Sequence, residues 1–240
     1  MNHITAIVLA AGKGSRMCSQ TPKQFLKIGK KPLLYYSLKA FEDSCVDDII
    51  LVTNEEYKEY CSKNIIGKYD IKKVRKIVSG GTERYWSGWN GLVQCKGTDY
   101  VLIHDAARPC LTEKMIEESV SEVRKCGACT VGVPVKDTIK MVNAENEGID
   151  TPPRECLWQV QTPQSFSYND IVRAYEKMKI SGDTDITDDT MIIERYLGKK
   201  TRIIMGDYCN IKVTTPDDLM VSEIFLKKMK KVVDMEERWC

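Results

Sequence analysis

Histidine is almost missing from this chain, and its scarcity excludes much catalytic chemistry. The 240 residues include only two, His3 and His104. Metal sites built from several histidines are therefore excluded, and a Ser-His-Asp triad would have to use His104. The sequence also contains no G-x-S-x-G nucleophile elbow, which disfavours a hydrolase of this kind. We expect His104 to order its own loop.

Long apolar runs are missing as well. The longest early run, residues 4–11, is far shorter than the roughly 20 residues that a membrane helix needs. Residues 1–3 before it carry no Lys or Arg, so the segment is a poor signal peptide and instead predicts a buried strand. The net charge of +2 disfavours nucleic acid and membrane surfaces as partners.

Cysteine is frequent by contrast, and ten cysteines in such a chain predict reduced thiols in a cytoplasmic protein. Cys126 and Cys129 form a C-x-x-C motif, but no second such pair exists that could complete a zinc site. The motif follows a helical pattern, whereas a redox motif has its first cysteine at a helix N-terminus. Gly127 therefore predicts the end of a helix, and we interpret the pair as structural.

Acidic residues are absent from residues 1–41, which carry seven Lys and Arg side chains, while the rest of the chain has a net charge of −5. Such a segment is either an exposed basic surface or a site for a polyanion. Residues 12–16 (GKGSR), which include Lys13, directly follow the predicted strand. Glycines there can expose backbone N–H groups to an anion, and Arg16 and Lys23 add charge. The segment matches neither the dinucleotide fingerprint nor the P-loop, yet the combination predicts a binding site for nucleoside-triphosphate phosphates.

The remaining sequence alternates between strand-like and helical patterns. Strands are predicted at 48–53, 74–79, 99–106, 128–135, 201–206 and 211–215, and helices at 32–43, 55–65, 82–95, 112–126 and from 216 through 230. This alternation predicts an α/β fold, with a mostly parallel sheet and helices on both faces. The polar residues 136–157 interrupt the pattern and predict an excursion from the sheet that is functional or forms an interface.

Polar clusters follow several predicted strands, at residues 80–84, 104–109, 136–138 and 210–212. Each has a plain structural interpretation, such as a turn at Gly80, a helix cap at Asp105 or an exposed lysine at Lys212. Ligands of open α/β sheets bind beyond the carboxyl ends of the strands, so convergence of these clusters favours one common site. An interaction module without a site is the least favoured alternative.

Eight segments occur in the same order as in a known family: LAAGKGSRM (9–17), PKQF (22–25), GGTER (80–84), HDAARPC (104–110), KDTIK (136–140), LWQVQTPQSF (157–166), TDD (187–189) and NIKVTTPDDL (210–219). Over about residues 4–226 the chain resembles the 2-C-methyl-D-erythritol 4-phosphate cytidylyltransferases. The ribitol-5-phosphate cytidylyltransferases are similar and remain an alternative. GGTER, Ala107 and Trp158 favour the first family, while Tyr85, Trp86 and the many cysteines depart from its commoner pattern.

The resemblance implies a single Rossmann-like nucleotidyltransferase domain over residues 1–240, with a mostly parallel twisted sheet and a protruding β-arm at 136–157 that forms a homodimer. It implies transfer of a cytidylyl group from CTP to a sugar-alcohol phosphate, in the non-mevalonate route to isoprenoid precursors. Positioning and cations suffice for such a reaction, and Mg²⁺ is the implied cofactor, with Asp105 the side chain nearest to it.

The resemblance also implies the residues of the site. Its catalytic cations are Arg16, Lys23, Arg154 and Lys212. A non-catalytic nucleotide-binding protein, the alternative from another functional class, would have lost such cations. The implied substrate-binding residues are Ala10, Ala11, Gly12, Gly14, Gly80, Gly81, Thr82, Ser87, Asp105, Ala106, Arg108, Thr138 and Thr162.

Overall fold

The computed structural model describes residues 2–12, 14–17, 19 and 21–236. The strands are β1 (Ile4–Leu9), β2 (Lys27–Ile28), β3 (Lys31–Pro32), β4 (Asp48–Thr53), β5 (Val74–Ser79), β6 (Tyr100–Asp105), β7 (Ala128–Pro134), β8 (Met141–Val142), β9 (Gly148–Asp150), β10 (Trp158–Ser167) and β11 (Arg202–Met205). The helices are α1 (Leu33–Glu42), α2 (Lys58–Tyr60), α3 (Arg84–Leu92), α4 (Glu113–Cys126), α5 (Tyr168–Ser181), α6 (Asp189–Leu197) and α7 (Pro216–Glu236).

Seven strands form the central sheet in the order β11-β7-β10-β6-β1-β4-β5. All its pairings are parallel except those of β10, which runs antiparallel to both β6 and β7. Every residue of β1 is buried, because both faces of this strand are covered by helices. The mostly parallel α/β fold predicted from the sequence is therefore confirmed.

The two faces of the sheet carry separate apolar cores. Ala6 and Val8 of β1 point to one side, where α1 and α4 pack, while Ile7 and Leu9 point to the other side, against α3, α5 and α6. This division follows from the two-residue period of a strand, which sends successive side chains to opposite faces. None of the helices within the described ranges is both long and apolar enough to cross a membrane.

The predicted strand at residues 211–215 is wrong, since this segment belongs to no sheet. Its backbone bond from Val213 N–H to the carbonyl of Ala107 instead ties it across the end of β6. The predicted helix 55–65 is also wrong as one regular element. It consists of a 3₁₀ turn (Glu55–Tyr57), the three-residue α2 and π-helical turns over Cys61–Gly67.

The C-x-x-C motif lies at the end of α4, as predicted. Gly127 has a left-handed backbone with φ 76° and donates its N–H to the carbonyl of Val123, which closes the helix. Cys126 and Cys129 are both free thiols. Burial raises the pKa of Cys129 to about 12, so this thiol lacks the thiolate character of a redox cysteine.

Residues 136–157 leave the sheet and form an antiparallel hairpin of β8 and β9. Four large apolar side chains on this arm are exposed by 42–62%, namely Ile139, Met141, Val142 and Ile149. Because a two-stranded hairpin alone is marginally stable in water, such an arm needs a surface to pack against.

Candidate active site

A cavity of about 710 Å³ opens beyond the carboxyl ends of β1, β4, β5 and β6. It brings together most residues that the sequence predicted for the site: Ala10, Ala11, Gly12, Lys23, Gly80, Gly81, Thr82, Ser87, Asp105, Ala106 and Lys212. It is also lined by residues for which the sequence analysis proposed no role: Leu9, Gln24, Asn54, Glu83, Arg84 and Ala107.

One wall of the cavity is the turn at Gly80 and Gly81, which passes so close to other residues that only glycine fits. A Cβ atom on Gly80 would lie 2.3 Å from the Cβ of Ala11, and one on Gly81 would lie 2.3 Å from the Cβ of Trp86. The Gly81 N–H donates to Ser87 Oγ at 3.0 Å, which holds the turn against α3. The two glycines therefore form a turn, as their structural interpretation predicted, and this turn is also part of the cavity wall.

Lys23 contributes a cation from the opposite wall. Its Nζ donates to the carbonyl of Val213 at 3.1 Å, and its methylene chain lies along Gly14, whose φ of 62° favours glycine. Burial lowers the pKa of Lys23, and the neighbouring charges of Lys212 and Arg16 lower it further. These crowded positive charges make the cavity favourable for a polyanion. Arg16 is exposed and does not line the cavity, and Lys13 lies outside the described residues.

Asp105 is the carboxylate at the centre of the site. Its Oδ2 contacts Lys212 Nζ at 2.7 Å and its Oδ1 accepts from Arg84 Nε at 2.9 Å. Burial on its own raises the pKa of Asp105, but the charges of Arg84 and Lys212 outweigh it and hold the pKa far below the usual range. The plain interpretation of Asp105 as a helix cap is wrong, because Thr112 caps α4.

A chain of hydrogen bonds behind Asp105 fixes its backbone. The Asp105 N–H donates to Thr162 Oγ1 at 3.2 Å, and Thr162 Oγ1 lies 2.9 Å from His104 Nδ1. The Thr162 hydroxyl therefore donates to Nδ1, and His104 Nε2–H donates to the carbonyl of Arg108 at 3.2 Å. His104 orders the loop that follows β6, while Thr162, 3% exposed, faces protein atoms rather than the cavity.

A second cavity of about 250 Å³ lies on the other side of Lys212. It is also lined by Arg108, which donates from its NH1 to the carbonyl of Asn210 at 2.8 Å. Arg154 and Thr138 lie on the arm, 3.2 Å apart between NH2 and Oγ1, and line neither of these two cavities. Lys212 thus borders both of these spaces, whereas Arg154 lines a different cavity, together with Pro134, Val135 and Glu155.

Over most of its length the chain is similar to proteins of one family. The model of the family "2-C-methyl-D-erythritol 4-phosphate cytidylyltransferase" matches residues 4–228. A protein of that name from Lachnospira eligens is 48% identical over 225 residues, covering 93% of this chain and 99% of the relative. One from Clostridium botulinum (strain ATCC 19397 / Type A) is 49% identical over 231 residues, covering 95% and 100%. This chain belongs to that family.

Solved structures of 2-C-methyl-D-erythritol 4-phosphate cytidylyltransferases have the same fold. The chain is similar to the 4-diphosphocytidyl-2C-methyl-D-erythritol synthase from Anaerococcus prevotii, with a TM-score of 0.83, 31% identity and coverage of 94% of this chain and 96% of that one. It is also similar to the cytidylyltransferase from Thermus thermophilus, with a TM-score of 0.76, 25% identity and coverage of 92% and 98%.

The residues of the site fit Mg²⁺ in the way that phosphate-transferring sites usually hold it. Within the described ranges no group of three or more His, Cys, Asp or Glu side chains could hold a metal by itself. Asp105 offers one charged carboxylate that faces the cavity, and Mg²⁺ commonly takes one or two carboxylates together with substrate phosphates and water.

Arg84 is the last residue of the motif GGTER, but it was not predicted as a site residue from the sequence. Its position at the start of α3, directly after the glycine turn, was the available signal. Arg84 NH1 donates to Oδ2 of Asp189, a residue more than 100 positions away in the sequence, and no local pattern predicts that pairing.

His104 makes the stability of the fold sensitive to acid. Burial lowers the pKa of His104 to about 4, so between the ordinary value near 6.5 and 4 the unfolded chain takes up a proton that the folded chain refuses. Stability is therefore lost as the pH falls through this window. Urea unfolding at about pH 7 and about pH 4.5 should show that His104→Gln loses roughly 2 kcal/mol less than the wild type on acidification. Equal losses in the two proteins would contradict this role, because His3 and the carboxylates are common to both.

Proposed function

We propose that this chain transfers the cytidylyl group of CTP to 2-C-methyl-D-erythritol 4-phosphate, giving the CDP-alcohol and diphosphate. The observation that carries this proposal is the position of Lys212 between two cavities, one bounded by the glycine turn and Lys23 and the other by Arg108. The membership of the family supports the acceptor over ribitol 5-phosphate, and the presence of Arg16, Lys23 and Lys212 supports an enzyme over a non-catalytic nucleotide-binding protein.

CTP occupies the larger cavity in this proposal. The cytosine ring lies against the turn at Gly80 and Gly81 and near Ser87, where fixed hydrogen-bonding groups can reject the uracil pattern. The triphosphate lies at the end of β1, near Gly12 and Lys23, where backbone N–H groups and cations converge.

The chemistry requires two anions to meet. An oxygen of the acceptor phosphate attacks the α-phosphorus of CTP, the new P–O bond forms, and the bond to the β-phosphate oxygen breaks to release diphosphate. Lys23 and Arg16 neutralise charge on the triphosphate and the leaving group, and Lys212 contacts both reacting phosphates. Asp105 would hold Mg²⁺ together with the substrate, and the ion would supply further charge neutralisation there.

The acceptor occupies the smaller cavity and its phosphate reaches Lys212. Thr138 and Arg154 complete this acceptor site from the arm of a second subunit, where the guanidinium of Arg154 binds phosphate through two parallel hydrogen bonds. The exposed apolar side chains of the arm support a homodimer, since they need a surface to cover them. The free cysteines among the described residues fit a reducing cytoplasm.

The reaction is tested by incubating the protein with each of the four nucleoside triphosphates and either acceptor in Mg²⁺, and by measuring diphosphate release. We expect activity with CTP and methylerythritol phosphate, and at least about a hundredfold lower kcat/KM with UTP, because the site discriminates by hydrogen bonding. Comparable activity with ribitol 5-phosphate would favour the second acceptor instead. No diphosphate release with any pair would contradict an enzymatic role.

Removal of a transition-state cation should affect turnover more than binding. Lys23→Ala and Arg16→Ala should each lower kcat by roughly 10²-fold, since a preorganised electrostatic contact is lost. Lys27→Ala is the matched control, because it removes an exposed lysine from the same basic segment without touching either cavity. Near-normal turnover of Lys23→Ala, or an equal loss in the Lys27→Ala control, would show that the position of the cation does not matter.

The composite site is tested by mixing two inactive variants, Lys23→Ala and Arg154→Ala, and allowing subunits to exchange. In a mixed dimer one site carries both lesions and the other carries neither. Activity should return to at most about one quarter of wild-type sites at equal mixing, if exchange is random. Absence of recovery despite demonstrated exchange would mean that Arg154 serves the site of its own subunit.

A further inference from the structure

Arg84 lines the nucleotide cavity, but two of its three guanidinium nitrogens donate to carboxylates. An arginine in a triphosphate site normally directs its planar fork of N–H groups at phosphate oxygens. Here Nε donates to Asp105 Oδ1 at 2.9 Å and NH1 donates to Asp189 Oδ2 at 2.7 Å. The guanidinium is thus shared between two carboxylates, one at the cavity and one behind it.

Asp189 holds Arg84 from a fully enclosed position, since its side chain is 0% exposed. Its Oδ1 accepts from the hydroxyl of Tyr175 at 2.5 Å, and its backbone N–H donates to Gln164 Oε1 at 2.9 Å. Gly88 leaves room for this arrangement, because a Cβ atom there would lie 2.6 Å from the Tyr175 hydroxyl oxygen. Both carboxylate oxygens of Asp189 are therefore bound, and its position is fixed by α3, α5 and β10.

Asp105 has partners of two different kinds. Arg84, on the Oδ1 side, is anchored by Asp189, whereas Lys212, on the Oδ2 side, has a side chain that is 38% exposed. Charges along this line alternate, from Lys212 to Asp105 to Arg84 to Asp189. Only the lysine at the cavity end can exchange its partner for a ligand without leaving a buried charge unpaired.

We propose that Arg84 and Asp189 are positioning residues: their ion pair fixes the Asp105 carboxylate and keeps the positive charge of Arg84 away from the bound nucleotide. This inference rests on the proposed function, because it concerns the same nucleotide site. It assigns to Asp189, which touches neither cavity, an effect on turnover that passes through Arg84.

Asp189→Asn separates this role from general stability. The asparagine has the same shape, and its Oδ1 can still accept from Tyr175, but its amide group then faces Arg84 donor to donor. Arg84 loses its anchor and keeps only Asp105, which it shares with Lys212, to balance its charge beside the triphosphate. We expect CTP to bind more tightly while turnover slows, because the freed cation stabilises bound substrate rather than the transition state.

The matched control is Tyr175→Phe, which removes the other hydrogen bond of the Asp189 carboxylate and leaves the pair with Arg84 in place. Steady-state kinetics with CTP and methylerythritol phosphate give kcat. Calorimetric titration with CTP and Mg²⁺, without acceptor, gives Kd, and thermal unfolding gives Tm for each protein.

For Asp189→Asn we expect kcat to fall about 10-fold and the Kd for CTP to fall about threefold. For Tyr175→Phe we expect a lower Tm with kcat and Kd within about twofold of wild type. The inference is overturned if Asp189→Asn changes kcat by less than about threefold, if its Kd for CTP is unchanged or raised, or if Tyr175→Phe reproduces both effects. If the wild type binds CTP but does not use methylerythritol phosphate, the proposed function fails, and the comparison of Kd values alone tests the role of Arg84 and Asp189. If the wild type binds no CTP, both the proposed function and this role are overturned.

Discussion

The site depends on positive charges that the fold holds close together. Lys23 and Lys212 line the same cavity, and the lowered pKa of Lys23 records burial and the repulsion from Lys212 and Arg16. Folding tolerates this crowding because Asp105 lies among the cations and because the chain is anchored around them. Lys23 is held by the carbonyl of Val213, and Val213 is itself bonded to Ala107, next to the loop that His104 orders. We expect a polyanionic substrate to relieve this repulsion when it binds.

The parts of the fold that were predicted correctly are those encoded by local pattern. β1 and β4 are buried and rich in Ile and Val, β7 is buried as far as Val133, and the glycine turn and the end of α4 carry their own signals. β10 was not predicted, because Gln, Thr and Pro interrupt its sequence. Its ladder with β7 also shifts register between Val160 and Gln164. Its place in the sheet comes from pairing with β6 and β7, which no local pattern encodes. Residues 211–215 show the opposite case, because they have the composition of a strand but pair with no strand of the sheet.

The residues of the candidate site likewise fall into those that a local pattern predicts and those that it does not. The glycines, Lys23 and Asp105 could be predicted because they follow strands whose carboxyl ends must meet at one edge of a parallel sheet. The partners of these residues could not be predicted. From the sequence, Arg84 resembles one more cation of a basic site, and only its contact with the distant Asp189 shows that its charge is already balanced. Thr162 likewise resembles a substrate contact, while its hydroxyl is used to connect His104 with the backbone of Asp105.

Lys212 lies where the two cavities of the site adjoin. It borders both cavities, and its Nζ lies 2.7 Å from Oδ2 of Asp105. An ammonium group is a point charge on a flexible stem, so it can move from a carboxylate to a phosphate without the planar geometry that an arginine would require. In the proposed reaction the acceptor phosphate and the α-phosphate of CTP present more negative charge than one carboxylate, so we expect Lys212 to move towards them once both are bound. Such a movement would free Asp105 Oδ2 from Lys212 only when the phosphates are in place, while Arg84 would still hold Oδ1. In this proposal one lysine brings together two phosphates that repel each other, while Arg84, anchored by Asp189, keeps the Asp105 carboxylate in its place.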